Sequence, residues 1–126
     1  MKYLDCIELL NLALQLLRKG QRDQVHLSKL QDVQILVTRT ISRSQDPMVK
    51  SMLTDTLSGI MAAQTNKSIA YLSNGMRDAI VSGIDNALAS ICDLAWDYYT
   101  IHDVPEDPSF AAVLRTIVEY HYEKGA

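Results

Sequence analysis

The chain has 126 residues, 48% of them hydrophobic, and a formal charge of −3 from 12 basic and 15 acidic side chains. That length and apolar content suffice for one domain with its own core, and the charge balance gives no global reason to bind nucleic acid or an anionic membrane. The two cysteines, Cys6 and Cys92, fall in apolar helical patterns and read as buried thiols, not as a disulfide framework.

Asp5 and Glu8 interrupt the region where a signal peptide would need unbroken apolar sequence, and no apolar run approaches the length of a membrane span. The expected location is the cytoplasm. Three prolines, five glycines and no run of alternating β-branched residues leave a period near 3.6 throughout. The predicted fold is all-α: a single helical domain over residues 1–126, built as a compact antiparallel bundle of four main helices plus one short or split helix.

The first predicted helix, Tyr3 to Arg18, carries Ile7, Leu9, Leu10, Leu12, Leu14, Leu16 and Leu17. At about 100° per residue these cover more than half the circumference, more than one surface helix needs. The helix is therefore either central in the bundle or shared with a second subunit, and Leu9, Leu12 and Leu16 are the candidate homodimer contacts. Lys19-Gly20 supplies a basic last turn and a glycine C-cap.

The second helix starts at Gln24 or Ser28 and runs to Ser42 on Leu30, Val33, Val37 and Ile41. Asp46 as N-cap, with Pro47 in the first helical position, opens the third, which reaches about Ala63 on Val49, Met52, Leu53, Leu57, Ile60 and Met61. The polar stretch 64–68 frays it or turns the chain, and residues 69–72 add a turn before Asn74-Gly75 breaks the pattern. Met48, Met52, Met61 and Met76 suit an adaptable binding groove, but their helical spacing favours core filling.

The fourth helix, Met76 to Ile101, buries Ile80, Val81, Ile84, Leu88, Ile91, Leu94, Ala95 and Tyr98. Between Arg77 and Arg115 there is no lysine or arginine, while seven carboxylates occur, four of them (Asp78, Asp85, Asp93 and Asp97) within an arc of about 120° opposite the apolar stripe. Residues 64–126 carry four basic and nine acidic side chains, against eight and six in residues 1–63, so the chain is electrically polarised. Trp96 lies on the acidic arc. It is a candidate anchor for a partner, because interface hot spots are enriched in tryptophan; equally, a neighbouring segment folded over it would make it a packing residue.

Asp107-Pro108-Ser109 marks the start of the last helix, in which Phe110, Val113, Leu114, Ile117, Val118 and His121 share one apolar arc. Arg115 points about 120° away from His121, one turn before Glu119. In the segment RTIVEYHYEKG, Arg115 and His121 have five residues between them. This spacing resembles the R-x(4–6)-H signature of the HEPN ribonucleases, which are also small and all-helical. The resemblance implies metal-independent RNA cleavage with Arg115 and His121 as the catalytic pair. On the residues alone the pair reads as structural, a histidine on the apolar stripe and a cation in a last helical turn.

His102-Asp103, with His26 upstream, resembles part of the ligand set of HD-type metal phosphohydrolases, but no aspartate follows Asp107 to complete it. No cysteine and histidine spacing suggests zinc, no glycine-rich phosphate loop is present and no serine stands in a nucleophile elbow. No metal and no cofactor are expected. The function expected is that of a small non-catalytic interaction module, a regulator, inhibitor, immunity protein or chaperone-like adaptor. It would present Asp78, Asp85, Asp93 and Asp97 around Trp96 to a basic protein surface, with no direct binding of nucleic acid or membrane.

Overall fold

A computed structural model describes residues 3–18, 27–65, 72–101 and 110–125. They form five helices: α1 (Leu4–Arg18), α2 (Leu27–Arg43), α3 (Pro47–Thr65), α4 (Asn74–Ile101) and α5 (Phe110–Gly125). No strand occurs among the described residues, 94% of which are helical. The protein is an all-α bundle.

Helix α1 packs on α2 and α4, and α3 also packs on α2 and α4, so four helices close a ring; α5 lies along α4 and touches α1. Residue pairs fix the directions. Asp5, at the start of α1, meets Arg43 at the end of α2 (3.3 Å), and the Tyr3 ring meets Tyr98 near the end of α4 (5.7 Å). Arg18, at the other end of α1, reaches Asp85 in the first half of α4 (3.8 Å). Phe110, at the start of α5, packs edge-on against Tyr99 (5.0 Å). Helix α4 therefore runs antiparallel to both α1 and α5, and α1 to α2.

The caps of α3 and α4 show different outcomes. Asp46 caps α3 as expected, its Oδ1 accepting the Val49 N–H at 3.0 Å. At α4 the expected break at Asn74-Gly75 is instead the first turn of the helix, because the Ser73 hydroxyl accepts the Met76 N–H (3.2 Å) and caps it two residues earlier than predicted. The expected cap at Lys19-Gly20, the start at Asp107-Pro108-Ser109, the turn over 66–71 and the His26 and His102-Asp103 pair lie outside the described residues.

The core runs through all five helices, with Ile7, Leu10, Leu17, Leu30, Leu53, Ile60, Ile84, Leu88, Phe110 and Ile117 almost wholly buried. Cys6 and Cys92 are buried and not joined in a disulfide. The methionines depart from expectation: Met48, Met61 and Met76 are exposed, and of the four only Met52 packs against the core. Gly83 of α4 lies directly against Thr56 of α3. A Cβ on Gly83 would overlap the Thr56 hydroxyl oxygen, which is itself held by a 3.0 Å bond to the Met52 carbonyl.

The expectation of no run near membrane-span length is corrected by α4, whose stretch Asn74–Tyr99 is long and apolar enough, by length and composition, to cross a membrane. Part of it is buried against α1, α3 and α5, and four aspartates punctuate it. Each charge at a bilayer centre would cost about 2.5–3.5 kcal/mol even on the mildest scale.

Candidate partner-binding face

Helix α4 is 28 residues long, about 42 Å at 1.5 Å per residue, and it outruns its neighbours. Its apolar stripe faces α1 and α3. That leaves the flank bearing Asp85, Asp93 and Trp96 as the seat for α5, and α5 covers part of the acidic arc.

Two clusters result. In the first, the Tyr120 hydroxyl donates to Asp85 Oδ1 at 2.5 Å, and Arg18 Nη2 stands 3.8 Å from the same oxygen. Burial raises the Tyr120 pKa well above the ordinary tyrosine value, with the bond to Asp85 and the charge of that carboxylate adding to it and Arg18 opposing. The phenol therefore keeps its proton and its donor role, and Asp85 is engaged from two helices.

In the second cluster His121 lies between two α4 side chains. Its ring stacks on Trp96 at 4.3 Å between centroids and 10° between planes, and its Nδ1 is 3.6 Å from Asp93 Oδ1. Tyr122 meets Trp96 edge-on at 5.8 Å and is 64% exposed. Trp96, Asp93 and His121 are half-buried. The sequence placed His121 at the centre of an apolar stripe; it sits instead at the rim, on an aromatic face bordered by a carboxylate.

The four aspartates are therefore not equivalent. Asp85 is turned into the α1–α4–α5 junction, Asp93 is shared with His121, and Asp78 and Asp97 are exposed, Asp78 lying beside Arg77 (3.8 Å). The structure brings Trp96 and Asp93 together with two α5 aromatics, His121 and Tyr122, whose part in this face sequence reasoning missed. Their spacing gives the signal in retrospect: adjacent residues in a last helical turn, polar-tipped and aromatic, opposite another aromatic-rich helix.

Arg115 is exposed, and no ion pair links it to Glu119 among the described residues. Its candidate catalytic partner, His121, is engaged with Trp96 and Asp93. No group of three or more metal-ligating side chains occurs among the described residues. Cys6 borders a cavity of ≈ 800 Å³ at the bundle end where α1 and α3 begin, but burial and Asp5 raise its pKa, Arg43 opposing, so it stays a thiol and a poor nucleophile.

Of the dimer candidates on α1, Leu12 is 49% exposed, and Leu9 and Leu16 are half-buried, Leu16 packing against the core. No protein-family model matches the chain, and no curated protein or solved structure matches it significantly.

Proposed function

We propose that the protein is a small non-catalytic interaction module that binds a basic protein surface through the end of α4 and the last turns of α5. The single observation that carries this reading is the aromatic cluster of Trp96, His121 and Tyr122, accessible in part and bordered by Asp93. Aromatic rings of this kind supply short-range energy once water is excluded, and the carboxylates of α4, with no lysine or arginine after Arg77 on that helix, raise the rate at which a cationic partner arrives. Regulator, inhibitor, immunity protein and adaptor all fit such a module. A cytoplasmic setting accords with two buried cysteines that form no disulfide.

The contact set is narrower than the acidic arc. Asp93, Trp96, Asp97 and Tyr122 form its centre, Asp78 lies towards the far end of the helix, and Asp85 supports the seat of α5. Binding kinetics with the captured natural partner test the reading. Reversing Asp93 and Asp97 to Lys should slow association and flatten its salt dependence, whereas Trp96→Ala should chiefly speed dissociation, by an amount worth about 2 kcal/mol. Unchanged kinetics in all three variants would remove this face from the binding site.

A further inference from the structure

A second surface stands apart from α4 and α5. Leu12, Gln15 and Leu16 of α1 and Asp32, Ile35 and Leu36 of α2 line an open groove of ≈ 380 Å³. Leu12 and Ile35 are each 49% exposed and stand on the adjacent ridges that flank it. One such residue would be ordinary, but two facing each other across an apolar groove form a patch.

The charges around this patch identify its occupant. Asp32 and Arg39 are seven residues apart on α2, so they fall within about 20° of each other on the helix and between the directions of Ile35 and Leu36. Both are exposed, and neither joins an ion pair among the described residues. Their midpoint is the level of Ile35 and Leu36. Turning α2 end for end about that level places an aspartate where an arginine stood, and the reverse, about 5 Å to either side at 1.5 Å per residue. The face is therefore complementary to itself under a two-fold rotation, which is what an isologous dimer requires.

We propose that the α1–α2 face is a homodimer interface. A second copy of this chain lays its own α2 antiparallel on the first, Ile35 and Leu36 meet their counterparts with Leu12 alongside, and Asp32 meets Arg39 of the second copy at both ends. This keeps Leu12 and Leu16 of the sequence-predicted contacts, replaces Leu9, which does not line the groove, with Ile35, and adds a charge register. Among the described residues none of α4 or α5 lines the groove, so the dimer presents two Trp96 faces and gains avidity towards a repeated or dimeric partner.

Sedimentation equilibrium on the full chain tests this. The wild type should exceed its 14.1 kDa protomer mass in the micromolar range. Ile35→Asp, and separately Asp32→Arg or Arg39→Asp, should weaken association by on the order of tenfold or more. The combined D32R/R39D chain should regain wild-type association, because the exchange preserves self-complementarity, and Trp96→Ala should leave it unchanged. Circular dichroism of each variant confirms that the bundle is intact, as expected for exposed positions. A wild-type chain that stays monomeric at high micromolar concentration overturns the proposal and leaves the groove to the helix of a different protein. A dimer indifferent to Ile35→Asp, or a charge exchange that fails to restore it, overturns it as well.

Discussion

The imidazole of His121 lies flat against the indole of Trp96, joining the last turns of α5 to the final third of α4. One face of the indole is thus occupied within the chain, and the exposed ring of Tyr122 stands T-shaped to it. The stack fixes the orientation of Trp96, so that ring is ordered before any partner arrives and little of its rotamer freedom remains to be lost on binding.

Trp96 is the only tryptophan, so its emission reports on this face alone. Acrylamide should quench it, and the ratio of caesium to iodide quenching should exceed that of a free tryptophan amide, because neighbouring carboxylates attract the cation and repel the anion. Emission that none of the three reaches would place the ring in the core. A ratio equal to that of the free amide would mean that the face carries no net anionic field.

Replacing His121 with Ala should cost about 0.5–1.5 kcal/mol in urea unfolding, the worth of an aromatic contact beyond its area, and should shift Trp96 emission to the red. Arg115→Ala should change stability by less than about 0.5 kcal/mol, because the side chain is exposed. Metal-independent RNA cleavage by the purified protein, abolished by either change, would contradict the structural role given to both residues.

Much of the fold is legible in the sequence, because helical periodicity and the Asp46-Pro47 start are local signals that packing does not have to decide. The face on α4 is less so. A helical wheel shows that Asp85, Asp93 and Trp96 share an arc, but not which other helix will claim that arc. Tyr120 and Asp85 are 35 positions apart, and their hydrogen bond depends on where α5 docks. The same limit misplaced His121, whose apolar arc continues past the edge of the core, and the methionines, whose helical spacing is shared by exposed positions.

Gly83 and Gly59 should respond oppositely to alanine. Gly83→Ala places a methyl group against the Thr56 hydroxyl, which is anchored to the Met52 carbonyl, and should destabilise by about 1–3 kcal/mol, with Thr56→Ala in the same chain recovering most of the loss. Gly59 has nothing within 4 Å of an added Cβ, so Gly59→Ala should stabilise by about 0.5–1 kcal/mol. Thermal unfolding of the two single variants and the double variant reads both.

The raised pKa of Tyr120 also sets the direction of an alkaline response. Between the ordinary tyrosine value of 10.0 and the higher folded value, the folded chain holds a proton that the unfolded chain has released. The contribution is fully present below the ordinary value and is lost as pH rises through the folded one. Tyr99, raised chiefly by burial, adds to the same trend. Urea midpoints should fall above about pH 10, and Tyr120→Phe should flatten that fall. A midpoint independent of pH there in the wild type would contradict the Tyr120–Asp85 bond.

Site-specific photo-crosslinking in the native cell shows whether the end of α4 and the last turns of α5 contact a basic partner. A photoreactive residue at position 97, or at position 122, should capture a protein with a basic surface, and Trp96→Ala in the same chain should abolish the capture, while the same probe at the exposed position 55 on α3 should capture nothing specific. Capture at 55 with none at 97 or 122, or capture at 97 that survives Trp96→Ala unchanged, would contradict binding through this face.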